Sequence, residues 1–298
     1  MNYIIFFCVF FITIFVYTHI RYHIKKINQL DIYDMGYIEK TALEEVCRLK
    51  QPVTFIINNN NIESDFSLKS MSTKFSTLSM KVYHLSDVPL SVSLNELNAL
   101  LHKEDYTSYN NTSVTIDPII KNALANLDIY LAPPLTIRKS YDLWVGSQDA
   151  SLKNKQHYYY RQYLYITNGY IECTIKTPDG QKQQSIIINQ SEILFIPPYW
   201  TYDITFKNNA FVCVYRYDTY FSILSRLPKL CMEYIDSKHE LHYSLKTIPL
   251  DNKLKDNISS TDTIDELPSK VGKNAGIKNT VNTKSSKRKR RKQRKKTD

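Results

Sequence analysis

The sequence has no Cys-x-x-Cys pair, and its five cysteines, Cys8, Cys47, Cys173, Cys213 and Cys231, are odd in number. This excludes a disulfide framework as the organising device, and the residues read as free thiols of a reducing compartment. Glycine and proline are scarce, at six and 11, beside 23 tyrosines. Tyrosine suits pleated, half-buried surfaces, so the balance leans toward β structure. No internal repeat is visible. The amino terminus lacks the basic n-region and small-residue cleavage site that a cleaved signal peptide needs. Positive charge is nearly absent as a surplus until the end of the chain. Of the net +10, residues 284–298 supply +9. The basicity therefore belongs to a tail, not to a domain face. The 298 residues, 43% hydrophobic, suffice for one large domain with a sizeable core.

Ile4 to Ile20 carries no formal charge. Its length is at the lower edge of what spans a bilayer as a helix. Residues 1–22 therefore read as a retained transmembrane anchor. Arg21, Lys25 and Lys26 follow at once, so the positive-inside bias predicts a single-pass membrane protein with its C-terminal domain in the cytosol.

Residues 30–246 read as the folded domain. Ile38, Ala42, Val46 and Leu49 fall at helical spacing within 30–50. Gln51 to Asn58 reads as a Pro-led first strand, and the four-Asn run that follows as a loop. Ser93 and Glu96 form a capping box for a helix over 91–102, and Asp117 to Leu127 is a second short helix with Pro118 in its first turn. From Tyr141 the pattern turns to strands: 141–145, 159–167, 170–176, 184–188, 193–196, 202–206 and 210–217. Asn168-Gly169 is read as a two-residue hairpin turn and Asp179-Gly180 as the next turn. Such short gaps predict antiparallel neighbours in a meander or barrel. A closing helix is expected over 221–234.

Residues 247–298 read as a disordered linker and polybasic tail. The charge sits in Lys287, Arg288, Lys289, Arg290, Arg291, Lys292, Arg294, Lys295 and Lys296. Such a run repels itself and stays extended. It suits anionic lipid or nucleic acid as a partner. No aromatic interleaves it, so base stacking is not indicated. Nothing in the sequence names a protein partner.

Four segments, in order, resemble the JmjC-like branch of the cupin superfamily. L-K-Q-P-V-T-F-I at 49–56 looks like its Pro-led opening strand. Y-D-L-W-V-G at 141–146, with Trp144 and Gly146, looks like its Trp-x-Gly strand. The segment 163–175 around Gly169 looks like its central hairpin. S-E-I-L-F-I-P-P-Y-W at 191–200, with Pro197, Pro198 and Trp200, looks like the corner before its last metal ligand. The resemblance implies a mainly β fold with flanking helices, a double-stranded β-helix (jelly-roll) barrel following the transmembrane helix. It also implies Fe(II) and 2-oxoglutarate as cofactors of a dioxygenase. The Asn-, Ile-, Lys- and Tyr-rich usage further resembles membrane-anchored proteins of large DNA viruses.

The residues depart from the family at the site itself. An iron dioxygenase needs two His and one carboxylate on one face. Between Gly146 and Gly169 no His-x-Asp or His-x-Glu occurs. The candidate registers are Asn154-x-Gln156, Gln156-x-Tyr158 and His157-x-Tyr159. At the second His position stands Tyr202, a phenol protonated at neutral pH. Asp203, one residue on, belongs to the opposite strand face. Tyr170 and Ile171 replace the family's 2-oxoglutarate lysine. The expectation is a barrel that has lost its iron triad and serves as a binding or scaffold protein, with no cofactor. The alternatives are a hydroxylase with rearranged ligands, drawing on His157, Asp203 or Glu172, and a membrane tether for nucleic acid. His102-x-Glu104 and the His239/His242 pair read as surface features.

Overall fold

The structure is a computed structural model that describes residues 2–57, 60–84, 89–101, 106–227 and 231–232. The polybasic tail, His102-x-Glu104 and the His239/His242 pair lie outside the described residues. The chain opens with helix α1 (Asn2–Ile24). Then come β1 (Tyr33–Tyr37), α2 (Lys40–Arg48), β2 (Val53–Ile56), α3 (Asn60–Asp65) and α4 (Leu68–Lys74). Next are β3 (Ser79–His84), β4 (Leu90–Ser93), α5 (Leu94–Leu101), β5 (Tyr106–Ser108), α6 (Pro118–Ala125) and α7 (Asp128–Leu131). The sheet-rich part holds β6 (Thr136–Gly146), β7 (Ser151–Gln156), β8 (Arg161–Lys176), β9 (Gln183–Ile188), β10 (Glu192–Ile196) and β11 (Thr201–Thr219). Residues 220–227 are helical, designated α8, and so are 231–232.

Local signals explain several boundaries. The Ser93 N–H donates to the Glu96 carboxylate at 3.1 Å and the Glu96 N–H to the Ser93 hydroxyl at 3.4 Å, closing the expected capping box. Asp117 accepts from the N–H groups of Ile119 and Ile120 to start α6, with Pro118 at its first position. The expected helix over 30–50 is shorter, because Tyr33–Tyr37 pairs in parallel with β2. What α2 buries is Leu43 and Cys47, whereas Leu49 is exposed.

All eleven strands join one sheet, in the order β1-β2-β10-β8-β11-β6-β5-β3-β4, with β7 on β11 and β9 on β8. The predicted hairpin at Asn168-Gly169 is not there: 161–176 is one continuous strand. The reason lies across the ladder. Gly169 takes φ +70°, and the facing residues Asn208 and Asn209 also take left-handed backbone. The β8–β11 register shifts at that point. Paired irregularities of this kind bend a sheet instead of reversing a strand. A Cβ at Gly169 would lie 2.8 Å from the Lys207 carbonyl oxygen, so only glycine fits the bend.

The bend folds the sheet over on itself. Tyr202 sits opposite Ile175 in the ladder, yet its hydroxyl accepts a hydrogen bond from Gln162 at 2.8 Å. Residues 162 and 175 would lie about 40 Å apart on a straight strand. Side chains alternate accordingly. Tyr163, Tyr165, Ile193, Phe195, Cys213 and Tyr215 join one core with helices α2, α4, α5 and α6. Leu164, Ile166, Leu194, Ile196, Val212 and Val214 face the other way, and the folded-over ends supply Ile175, Ile204 and Phe206 against them. Gly146 makes this closure possible, since a Cβ there would lie 2.2 Å from the Phe206 ring.

Helix α1 is long and apolar enough to cross a membrane over Tyr3–Ile24, and Phe6 and Phe11 are 67% and 64% exposed. Its last turns are fastened to the domain. The Lys50 ammonium donates to the carbonyls of His23 and Lys25, each at 3.0 Å, and to that of Tyr22. A cation thus satisfies the orphan carbonyls of a helix C-terminus. Phe221 of α8 packs on Phe15 and His19, with ring centroids 5.7 Å and 4.6 Å apart.

Candidate functional site

Strand β10 ends at Ile196 because Pro197 and Pro198 offer no N–H to a ladder. Both prolines are buried, and Tyr199 then turns with φ +70°. The corner is laced to the segment after β7. The Tyr199 N–H donates to the His157 carbonyl at 3.0 Å, and the Gln156 amide donates to the Tyr199 carbonyl at 2.9 Å. His157 itself is buried, and its Nε2 lies 2.9 Å from the Ile196 carbonyl oxygen. A carbonyl can only accept, so Nε2 carries the hydrogen and Nδ1 presents a lone pair. Burial lowers this imidazole to about 3, so it is neutral at physiological pH. Among the described residues Nδ1 has no hydrogen-bond partner.

Beside His157 runs a polar chain through an apolar core. The Asp142 carboxylate, fully buried, accepts from the N–H groups of Asn111 and Leu143, from Trp144 Nε1 at 2.8 Å and from Arg216 at 3.2 Å. Arg216 Nε donates to the Gln162 oxygen at 3.1 Å, and the Gln162 amide donates to the Tyr202 hydroxyl. Each of these residues holds the next, which fixes their orientations. Arg226, on α8, is held by Asp218 at 3.4 Å. The guanidinium carbons of Arg216 and Arg226 lie 5.4 Å and 4.7 Å from the centre of the Tyr159 ring.

These groups line a pocket of about 340 Å³. Among the described residues its lining includes Lys155, Arg216 and Arg226 and no acid. The two carboxylates that steady the arginines stand behind them, at zero exposure. The concave surface therefore presents cationic forks and tyrosine hydroxyls, with the His157 ring in its wall. Such groups are suited to an anion.

The residues do not fit an iron centre. Among the described residues His157 is the one imidazole lining the pocket. The nearby carboxylate, Asp142, already accepts from four donors. Burial pushes the Tyr202 phenol up to about 12, so it stays protonated and binds metal poorly. Among the described residues no three His, Cys, Asp or Glu side chains gather as a metal cluster.

The structure brings His157 and Tyr202 to this one pocket, with ring centroids 6.4 Å apart. Asp203 points away from it. Its carboxylate accepts from Lys176 at 2.6 Å and from the Asn154 N–H at 2.6 Å. Burial opposes its ionisation, but those two donors hold the carboxyl below its ordinary value. Glu172 is exposed, on the strand length facing β9. Of the remaining motif residues, Trp144 touches the pocket, and Trp200, Pro197 and Pro198 are buried in support of it. No family model and no curated protein matches the chain. The motif reading missed Asp142, Gln162, Arg216 and Arg226. A charged residue inside an otherwise apolar strand, as Arg216 is in F-V-C-V-Y-R-Y and Asp142 in Y-D-L-W-V, is the signal that marks two of them.

Proposed function

We propose that the chain is a membrane-anchored binding module, a cupin-like jelly-roll barrel whose mouth takes a small anionic ligand in place of iron and 2-oxoglutarate. The observation that carries this reading is the pocket charge: among the described residues three cations line it and no acid does, and the buried carboxylates lie behind the arginines. The folded-over sheet with its Pro-Pro corner supports the jelly-roll assignment, and the exposed apolar surface of α1 supports the anchor. In this reading the domain faces the cytosol. Arg216 binds the anion through the part of its fork that Asp142 and Gln162 leave over, Arg226 closes from the side, and Tyr202 gives its remaining O–H. No bond is made or broken.

The test uses the full chain in detergent micelles. Titration with inorganic phosphate is expected to change the fluorescence of Trp144, whose ring the Arg216 guanidinium approaches at 5.7 Å. Incubation with Fe(II) under argon is expected to leave no stoichiometric metal after gel filtration. One iron per chain with turnover of 2-oxoglutarate would sink the proposal.

A further inference from the structure

The pocket lies beside the root of the anchor. The His23 ring, one residue from the end of α1, is 5.8 Å from Tyr160 and 6.3 Å from Tyr199. Tyr199 packs on Tyr158, a pocket residue, at 5.5 Å, and the Lys26 ammonium sits 5.7 Å over the Tyr199 ring. Helix α8 closes the same corner. It contributes Arg226 to the pocket and lays Phe221 against Phe15 and His19 of α1. Its outer side shows Tyr220, Leu224 and Leu227, which are 61%, 44% and 46% exposed.

The bilayer core is about 30 Å thick, so a helix rising 1.5 Å per residue needs about 20 residues to cross it. Helix α1 can supply that many only if the span runs down to about Tyr22. Phe15 and His19 then lie in the membrane near its surface. The α8 helix packed on them is drawn to the same depth, apolar side outward, and Arg226 stands at the level of the headgroups. In that placement the pocket would open near the lipid phosphates.

His157 narrows the chemistry. Its Nε2–H is spent on the Ile196 carbonyl, so the buried Nδ1 at the pocket needs a donor. A bare phosphate diester or carboxylate offers none. A hydroxyl does.

We propose that this pocket takes a phosphate ester that also carries ring or chain hydroxyls, presented by a lipid headgroup of the membrane in which α1 is anchored. The phosphate meets Lys155, Arg216 and Arg226, and a hydroxyl donates to His157 Nδ1. This rests on the anion-binding reading above. The free sugar or inositol phosphate shares the chemistry, so the two sources have to be separated.

The full chain is placed in phosphatidylcholine nanodiscs containing phosphatidylinositol or, at equal charge, phosphatidylserine. The indole fluorescence and the melting temperature are then followed. The basic tail meets both lipids alike, so a pocket contribution is the difference between them. The expected result is a melting temperature higher in phosphatidylinositol discs than in phosphatidylserine discs. Lys155→Gln and Tyr202→Phe should each remove most of that difference, while leaving the melting temperature in phosphatidylcholine alone within a few degrees. Equal behaviour in the two lipids, or an unchanged difference in both variants, overturns the headgroup assignment. Soluble inositol 1-phosphate is the second arm, added to discs of phosphatidylcholine. If it binds as tightly as the lipid, the anion site stands and the membrane source falls. If neither lipid, inositol phosphate nor inorganic phosphate perturbs the indoles, the anion-binding reading falls as well.

Discussion

Single side chains carry most of the site's constraints. His157 is neutral inside the fold, where burial lowers it to about 3 from its ordinary 6.5. The unfolded chain takes up that proton below about pH 6.5 and the folded chain does not until about pH 3. Folding therefore has its full stability from this residue above pH 6.5 and loses it as the pH falls. The loss approaches about 1.4 kcal/mol per pH unit within that window. Urea midpoints at pH 7.5, 5.5 and 4.5 check this: His157→Asn should flatten the slope, and equal slopes would remove the claim. Asp142→Asn addresses its neighbour. It leaves Arg216 as a buried cation without its counter-charge and should cost about 3–5 kcal/mol, read by denaturation. Gly146→Ala places a methyl group against the Phe206 ring and should cost about 1–3 kcal/mol by the same measurement, from overpacking alone.

At the level of elements, what the sequence discloses is what is decided locally. The Ser93–Glu96 box, the Asp117 cap and the Ile193–Ile196 run depend on residues within one turn or one strand, and each stands where it is read. Asn168-Gly169 depends on something distant. Its left-handed glycine serves a hairpin or a bend equally well, and Asn208-Asn209, about forty positions on, makes it a bend. Strand β7, S-L-K-N-K-Q, has one large apolar residue and no β pattern, and is a strand because β11 pairs with it. The site follows the same rule. His157 and Tyr202 are visible through the motif that places them, whereas Arg216 and Asp142 acquire meaning only when β6 and β11 lie side by side. The joint between α1 and the domain is likewise non-local, since Lys50 reaches back to the helix end. Burial lowers this ammonium to about 8, with Lys25 adding to the effect. Lys50→Ala should raise amide exchange through residues 22–26 and leave β8 and β11 protected, as read by hydrogen–deuterium exchange in micelles.

For the whole molecule, the two membrane contacts proposed for opposite ends of the chain make one prediction. The tail carries nine basic residues in the ten from Lys287 to Lys296. Near an anionic surface each is worth about 1 kcal/mol, an attraction that salt screens. A chain lacking 1–22 should still sediment with phosphatidylserine vesicles at low salt and be released near physiological salt. Removing 284–298 as well should abolish that retention. Retention of the doubly truncated chain would move the lipid contact to the domain itself.

The pairing of β2 with β10 sets a further condition on how the protein is made. Val53–Ile56 has its antiparallel partner in Glu192–Ile196, some 140 residues later, and β10 in turn seals β8. At about 5–20 residues per second, the ribosome needs about 10–30 s to pass from β2 to β10. As the proposed anchor, α1 would by contrast be ready for insertion as soon as it leaves the exit tunnel. The first thing the cell fixes in place is thus the end of the chain whose neighbouring strand waits longest for its partner. For that interval Val53, Phe55 and the edge of β2 away from β1 wait for the strand that covers them. If α1 is the proposed anchor, the lipid surface that receives it is the first surface the unfinished domain meets.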